Sequence, residues 1–200
     1  MPSLFTPLEK EFLYGLRLKY RSGWLRRGIP WQQAESVQSH TLKVRAATGL
    51  YIDSANANNG SLRYDRQLAI DIATVHDFPE LIAPDYTPHD KISADDKHQI
   101  ERAALLPFTL SSEGRRIFDM WMTYEVQDTP ESRLVFQLDK LDAGVQAIEY
   151  LKKGFSVEDF IPYTQKKLTD PKLSAIFEKL VSRGWRENAY RTYFQLLRSN

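Results

Sequence analysis

The sequence contains no cysteine among its 200 residues. This absence excludes a disulfide scaffold, a zinc finger, an iron–sulfur cluster and a cysteine nucleophile. Its charge is nearly balanced, with 27 Lys and Arg against 26 Asp and Glu, so the composition indicates neither nucleic-acid nor polybasic membrane binding. No apolar run approaches the roughly 18 residues of a membrane helix, and Glu9 lies where a signal peptide would be apolar. We therefore expect a cytoplasmic protein whose partners include neither nucleic acid nor membrane.

Strand patterns are scarce as well. No stretch alternates polar and apolar residues over five or more positions between turn residues. Helix signals instead follow one another, beginning with the capping box at Thr6 and Glu9. We predict helices from Pro7 to about 22, then over about 34–53, 62–76, 93–107 and 112–127, a long one from 130, and two over 171–183 and 185–198. The pattern predicts an all-α single domain, residues 1–200, of about eight helices.

The end of the chain carries a run of aromatic residues. Trp185 begins it, and Tyr190, Tyr193 and Phe194 continue it at helical spacing. Such a stripe is typical of a core face or of a contact between subunits. We expect the C-terminal helices at 171–198 to pack on the domain or on a partner subunit, which leaves a homodimer open.

Two of the four histidines lie on apolar helix faces. His40 comes three residues after one valine and four before another, and His76 comes four residues after an isoleucine. Taken alone, either histidine can be interpreted as a core residue whose buried imidazole is hydrogen-bonded to a carbonyl. His89 lies in a loop without apolar periodicity, so we expect it to be solvated or to support a ligand from behind. His98 lies in a charge-rich helix start, and we expect it to be exposed.

The surroundings of His76 favour a metal ion. Asp77 follows it directly, Glu80 follows four residues later, and no Lys or Arg lies between residues 68 and 90. Burying an imidazole with two carboxylates costs several kcal/mol, on the order of that seen for buried ions, unless the charge is compensated. A divalent cation neutralises carboxylates and accepts imidazole nitrogen at once, so it is the simplest compensation.

A further carboxylate ligand is available on the long helix that begins at 130. Asp139 follows Val135 by four residues and therefore leans toward the apolar stripe. The alternative is a solvated carboxylate pair, Asp139 and Asp142, beside Lys140.

The order His40, His76-Asp77, Asp139 on separate helices resembles the signature of the HD-domain metal-dependent phosphohydrolases. It is most similar to the YfbR-like 5′-deoxynucleotidases, small all-helical proteins that hydrolyse deoxyribonucleoside 5′-monophosphates. The resemblance covers residues from about 16 to 150, and its signature segments lie within 21–142. These segments are Arg21-Ser22-Gly23-Trp24, Glu35 to His40, His76 to Glu80, Asp85 to Pro88 and Leu138 to Leu141.

The resemblance implies one divalent metal held by His40, His76, Asp77 and Asp139. Imidazole and carboxylate ligands accept manganese, cobalt, nickel, iron or zinc, so the ion's identity stays open. The cation would activate water for removal of the 5′-phosphate from a (deoxy)nucleoside monophosphate. Glu80, one turn beyond two ligands, is placed to orient that water or handle a proton. The alternative function is that of a catalytically idle helical module that contains the metal and either binds nucleotides or has a regulatory role.

The resemblance also implies residues that meet the substrate. Asp85 is a second functional carboxylate, on the side of the leaving group. Trp24 corresponds to a tryptophan near the substrate, and Arg21 to its phosphate partner. Two neighbouring arginines, Arg26 and Arg27, compete for the phosphate role, and a core tryptophan beside a solvated arginine is the alternative for Trp24.

Overall fold

The computed structural model describes residues 4–57, 63–87, 90–183 and 188–199. Over these ranges the chain forms ten α-helices and two short 3₁₀ helices, Phe78–Leu81 and Leu106–Leu110, and its only strand-like pairing is a bridge between Tyr20 and Ser36. The α-helices are α1 (Pro7–Leu16), α2 (Ser22–Arg26), α3 (Val37–Ala57), α4 (Arg66–Val75), α5 (Ala94–Leu105), α6 (Ser112–Val126), α7 (Pro130–Lys152), α8 (Phe160–Lys167), α9 (Pro171–Ser182) and α10 (Ala189–Arg198). The all-α prediction is confirmed.

The N-terminal helix is shorter than the sequence predicts. The capping box of Thr6 and Glu9 forms, but α1 ends at Leu16 rather than near residue 22. Beyond it, the N–H of Arg21 donates to the carbonyl of Glu35, and the N–H of Val37 donates to the carbonyl of Lys19. These long-range bonds hold the segment extended, so the local helix signal is overridden.

The sequence prediction omits helix α8, which contains Pro162. The proline occupies the third position of the helix, where a backbone N–H has no partner within the helix, so the ring removes no hydrogen bond there. The last two helices lie where the aromatic stripe predicts. Helix α9 packs on α7, and α10 packs on α3 and α7, so they cover the same core. Trp185 lies outside the described residues.

The long helices α3 and α7 form the centre of the fold with α4. The largest group of buried apolar side chains is drawn mainly from these three helices together with α9 and α10. A second group joins α1 to α5 and α6, and a third surrounds Trp24 and Tyr150. The region where α3, α4 and α7 meet therefore lies at the centre of this packing. None of the described helices is long and apolar enough to cross a membrane.

Candidate functional site

The four sequence-predicted ligand residues meet where α3, α4 and α7 pack together. His40 lies on α3, His76 is the C-cap of α4, Asp77 follows it, and Asp139 lies on α7. The Nε2 atom of His40 is 3.0 Å from Oδ1 of Asp139 and 3.6 Å from Oδ2 of Asp77. The Nε2 atom of His76 is 3.3 Å from the same Oδ2 of Asp77. The candidate ligand atoms therefore converge on one point.

His76 is buried, and its two ring nitrogens have different surroundings. Its Nδ1–H donates to the carbonyl of Ala73 over 2.9 Å. This is the bond expected if His76 were simply a buried core histidine. In the neutral ring this bond leaves the lone pair on Nε2, and Nε2 has no hydrogen-bond partner among the residues that the structure describes. A buried acceptor without a donor costs about 1–3 kcal/mol. A cation bound at Nε2 would supply the missing partner, whereas a purely structural role in the core would leave Nε2 without one.

His40 is oriented by a carboxylate that the sequence did not single out as a partner. Its Nδ1–H donates to Oδ2 of Asp142 over 2.8 Å, so Nε2 faces Asp139 and Asp77. Asp142 is fully buried. Burial and Arg21 lower the pKa of His40, but the hydrogen bonds to Asp139 and Asp142 outweigh them and raise it to about 9. A carboxylate behind a ligand histidine is the usual device that fixes its tautomer at a metal site.

The alternative of a solvated pair at Asp139 and Asp142 is wrong. Both are buried, because their i, i+3 spacing places them on the face of α7 that packs against α3. Asp139 accepts hydrogen bonds at Oδ2 from the hydroxyl of Tyr124 over 2.7 Å and from Nζ of Lys140 over 2.6 Å. Burial opposes ionisation, but Lys140 and His40 hold the pKa of Asp139 well below its usual value. Asp139 is therefore a carboxylate whose Oδ1 points into the cluster.

Asp77 has a cationic neighbour, contrary to the expectation from local sequence. Nη1 of Arg21 is 3.3 Å from Oδ2 of Asp77, although 56 residues separate the two. Burial would raise the pKa of Asp77, but His76, Arg21 and His40 lower it well below its usual range. Arg21 therefore compensates part of the negative charge of the cluster, and a cation bound between the candidate ligands would compensate the rest.

The two further carboxylates predicted at the site differ in their surroundings. Glu80 is buried, and its Oε2 has no hydrogen-bond partner in the described part of the chain. Burial raises the pKa of Glu80, and the nearby carboxylates of Asp77 and Asp85 raise it further, so this group holds its proton at higher pH than usual. Oδ2 of Asp85 accepts from the N–H of Ser22 over 2.6 Å and lies 3.8 Å from Nε of Arg21.

The donor set fits a divalent cation. Nitrogen and oxygen atoms of His40, His76 and Asp139 all lie within 4.8 Å of one another, and all three residues are buried. Two imidazoles with carboxylates suit first-row divalent metals. A second group, formed by Glu35, His40 and Asp142, has similar spacing. There Lys43 already forms an ion pair with Glu35, so the positive charge is supplied by the chain itself.

A cavity of about 470 Å³ opens beside the cluster, with Asp139 in its wall. Arg21, Trp24 and Asp85 also line it, as do Arg26, Arg27 and Lys140. Trp24 is almost fully covered: its ring packs 4.4 Å from that of Phe160 between centroids, and its indole N–H donates to Glu35 over 3.2 Å. This burial matches the core alternative for Trp24, and the position in the cavity wall matches the substrate prediction.

His98 has partners of its own on a neighbouring helix. His98, expected to be exposed, is partly buried, because its ring stacks on Trp121 of α6 and its Nδ1 lies 3.0 Å from Glu125. This partner comes from tertiary packing, which periodicity on α5 cannot indicate. His89 lies outside the described residues, and its neighbour Asp90 pairs with Arg26.

Comparison with known proteins gives one consistent result. The profile of the HD domain matches residues 14–180. A 5′-deoxynucleotidase of Dictyostelium discoideum is 36% identical over 150 residues, which cover 73% of this chain and 77% of that protein. A 5′-deoxynucleotidase of Schizosaccharomyces pombe is 32% identical over 161 residues, covering 77% and 76%. A Pyrococcus horikoshii protein of known structure shares the fold, with a TM-score of 0.71 at 23% identity over 94% of this chain and 99% of that one.

Proposed function

Because the chain belongs to the HD-domain family, we propose that it is a metal-dependent phosphohydrolase that removes the 5′-phosphate of (deoxy)nucleoside monophosphates. The observation that carries this proposal is the cluster of His40, His76, Asp77 and Asp139, in which Asp139 also lies in the wall of a cavity. The cavity volume of about 470 Å³ lies within the roughly 300–1,000 Å³ of small-molecule sites. The names of the relatives above support the substrate class.

One divalent cation would be held by Nε2 of His40, Nε2 of His76, Asp77 and Oδ1 of Asp139. When bound, such a cation lowers the pKa of its water and polarises a phosphoryl oxygen. Manganese, cobalt, nickel, iron and zinc all accept this donor set, so reconstitution with each is needed to identify the native ion. Asp142 holds the ring of His40 in the required orientation.

Glu80 and Asp85 are proposed as the catalytic carboxylates. Since burial and its acidic neighbours raise the pKa of Glu80, this side chain can hold a proton at its unpartnered Oε2 and transfer it during hydrolysis. Asp85 is fixed by the N–H of Ser22 on the Arg21 side of the cluster. We assign it to the leaving-group side of the substrate.

Arg21 and Trp24 are proposed as the substrate-binding residues. The guanidinium of Arg21 already lies beside two carboxylates of the site, where it can contact a phosphate oxygen. Arg26 and Arg27 are less suited, because each pairs with an aspartate outside the ligand cluster, Asp90 and Asp159 respectively. Trp24 is buried but lines the cavity, and we assign it to contact the nucleoside.

The direct test is a screen of metal-reconstituted protein against nucleoside mono-, di- and triphosphates. We expect hydrolysis of monophosphates, with release of inorganic phosphate, for at least one of the five metals. A protein that loads metal and binds nucleotide but releases no phosphate would instead support the idle module.

The nucleoside contact is tested by Trp24→Ala. We expect its KM for nucleotides to rise far more than its KM for a small generic phosphate ester, because only the nucleotide has a base and sugar to lose contact with. Trp31→Ala is the matched control, since Trp31 is exposed. An equal loss with both substrates would remove Trp24 from the substrate site.

A homodimer and a cytoplasmic location remain proposals. The inner face of α10 is covered by α3 and α7, so a dimer would have to use other surfaces. Light scattering of the purified protein and fractionation of cells test the two separately.

A further inference from the structure

Lys140 brings a positive charge to the cluster from an unexpected position. It directly follows Asp139 on α7, and adjacent residues on a helix do not face each other. Its long side chain nevertheless folds back, so that Nζ lies 2.6 Å from Oδ2 of Asp139. The side chain is 24% exposed and lines the cavity. The ammonium group therefore lies between a candidate metal ligand and the space for substrate.

Asp139 does not depend on Lys140 for its hydrogen bonding. The hydroxyl of Tyr124 donates to the same Oδ2 over 2.7 Å, and Oδ1 faces Nε2 of His40. A cation bound at Oδ1 would leave both carboxylate oxygens with a partner even if Lys140 turned away. Among the residues that the structure describes, Nζ of Lys140 has no second hydrogen-bond acceptor, so its other N–H donors are available.

Two other cations of the cavity wall are paired with carboxylates that are not candidate metal ligands. Arg26 pairs with Asp90 over 2.7 Å, and Lys97 pairs with Glu101 over 2.5 Å. A cation at the centre leaves those pairs unchanged. Lys140 is instead paired with a candidate ligand, as Arg21 is with Asp77, so a cation at the centre would weaken the attraction that holds Lys140 to Asp139.

We propose that Lys140 binds the phosphate of the substrate, donating from Nζ to a non-bridging oxygen while Arg21 contacts the phosphate from the start of α2. A flexible ammonium is a well-established phosphate partner, acting as a point charge where arginine acts as a planar fork. This inference rests on the proposed function in requiring a phosphorylated substrate and a cation at the centre. It assigns to this chain a binding residue outside the predicted set of Arg21 and Trp24.

The test uses Lys140→Met, which keeps the length of the side chain and removes the charge. Lys140→Arg restores the charge, and Lys153→Met is the control, since Lys153 is an exposed residue at the end of the same helix. Binding of inorganic phosphate to the metal-loaded proteins is measured by calorimetry, and metal content by mass spectrometry. We expect Lys140→Met to weaken phosphate binding about 10- to 100-fold, as for loss of a hydrogen bond to a charged group, with unchanged metal content. Lys140→Arg should recover most of the affinity, and Lys153→Met should match wild type.

Two results would overturn the inference. Phosphate affinity equal to wild type in Lys140→Met would show that the ammonium does not meet the anion. Loss of metal from that variant would show that Lys140 acts through Asp139 instead. Lys140→Gln, which keeps a polar terminus, gives a second neutral variant if circular dichroism shows Lys140→Met to be misfolded. Since phosphate binding needs no turnover, failure of the nucleotidase proposal would appear separately, as a wild type that binds phosphate but hydrolyses no monophosphate.

Discussion

Asp142 should control the affinity of the candidate centre without being one of its ligands. Its Oδ2 accepts the Nδ1–H of His40 over 2.8 Å, and the residue is fully buried. In Asp142→Asn the side-chain carbonyl can still accept that proton, so the tautomer survives while the negative charge is lost. In Asp142→Leu the acceptor is lost as well, and the Nδ1–H of His40 is left buried without a partner.

The size of each effect follows from this difference. Outer partners of ligand histidines typically contribute about 10- to 100-fold in metal affinity, so we expect a loss in this range for Asp142→Asn. Asp142→Leu should lose more and should also destabilise the protein, because an unsatisfied buried donor costs about 1–3 kcal/mol. Asp53→Asn is the control. It breaks an exposed ion pair with Arg66, which is worth at most about 1 kcal/mol and lies away from the cluster.

Metal affinity is measured by competition with a chelator, and the tautomer of His40 by nitrogen-15 chemical shifts of its ring. The reasoning requires weakened binding in Asp142→Asn with the Nδ1–H tautomer retained. It is refuted if Asp142→Asn binds metal within twofold of wild type, since the carboxylate would then have no influence on His40 as a ligand.

Three further predictions follow from the same contacts. His76→Ala should lose most bound metal, measured after dialysis, because it removes the unpartnered Nε2; a fully loaded variant would contradict the ligand assignment. Glu80→Gln should retain metal and lower turnover by about 10²–10⁴-fold, the usual range for a positioned acid or base. Folding raises the pKa of Glu80, so the folded state holds this proton more tightly than the unfolded state does. The stabilisation that the protonated group provides is therefore lost as pH rises above the pKa of Glu80 in the unfolded state. Glu80→Gln should accordingly stabilise the metal-free protein more at pH 8 than at pH 4, and the opposite trend in melting temperature would show the sign to be wrong. Gly144→Ala should cost about 1–3 kcal/mol in unfolding free energy, because the new methyl would lie 2.7 Å from Phe177 and Thr164, and unchanged chemical denaturation would contradict this packing.

The sequence alone was sufficient for the fold class and the family. Capping residues and apolar spacing are local signals, so the start of α7 after Thr129 and its buried face could be predicted without knowledge of any neighbour. The same periodicity placed His40 and His76 on buried faces, which the structure confirms. The enzyme class, predicted from the resemblance, is confirmed by the family match and by the curated relatives.

The partners of those buried residues were decided only by tertiary structure. Asp142 meets His40 across 102 residues of sequence, and Arg21 meets Asp77 across 56. The local sequence around Asp77 offered no cation, yet the extended segment after α1 brings one. Likewise, nothing in the order of residues indicates that Lys140 turns back toward Asp139. Helical periodicity identifies which face of a helix is buried, but the packing of α3, α4 and α7 determines which side chains that face meets.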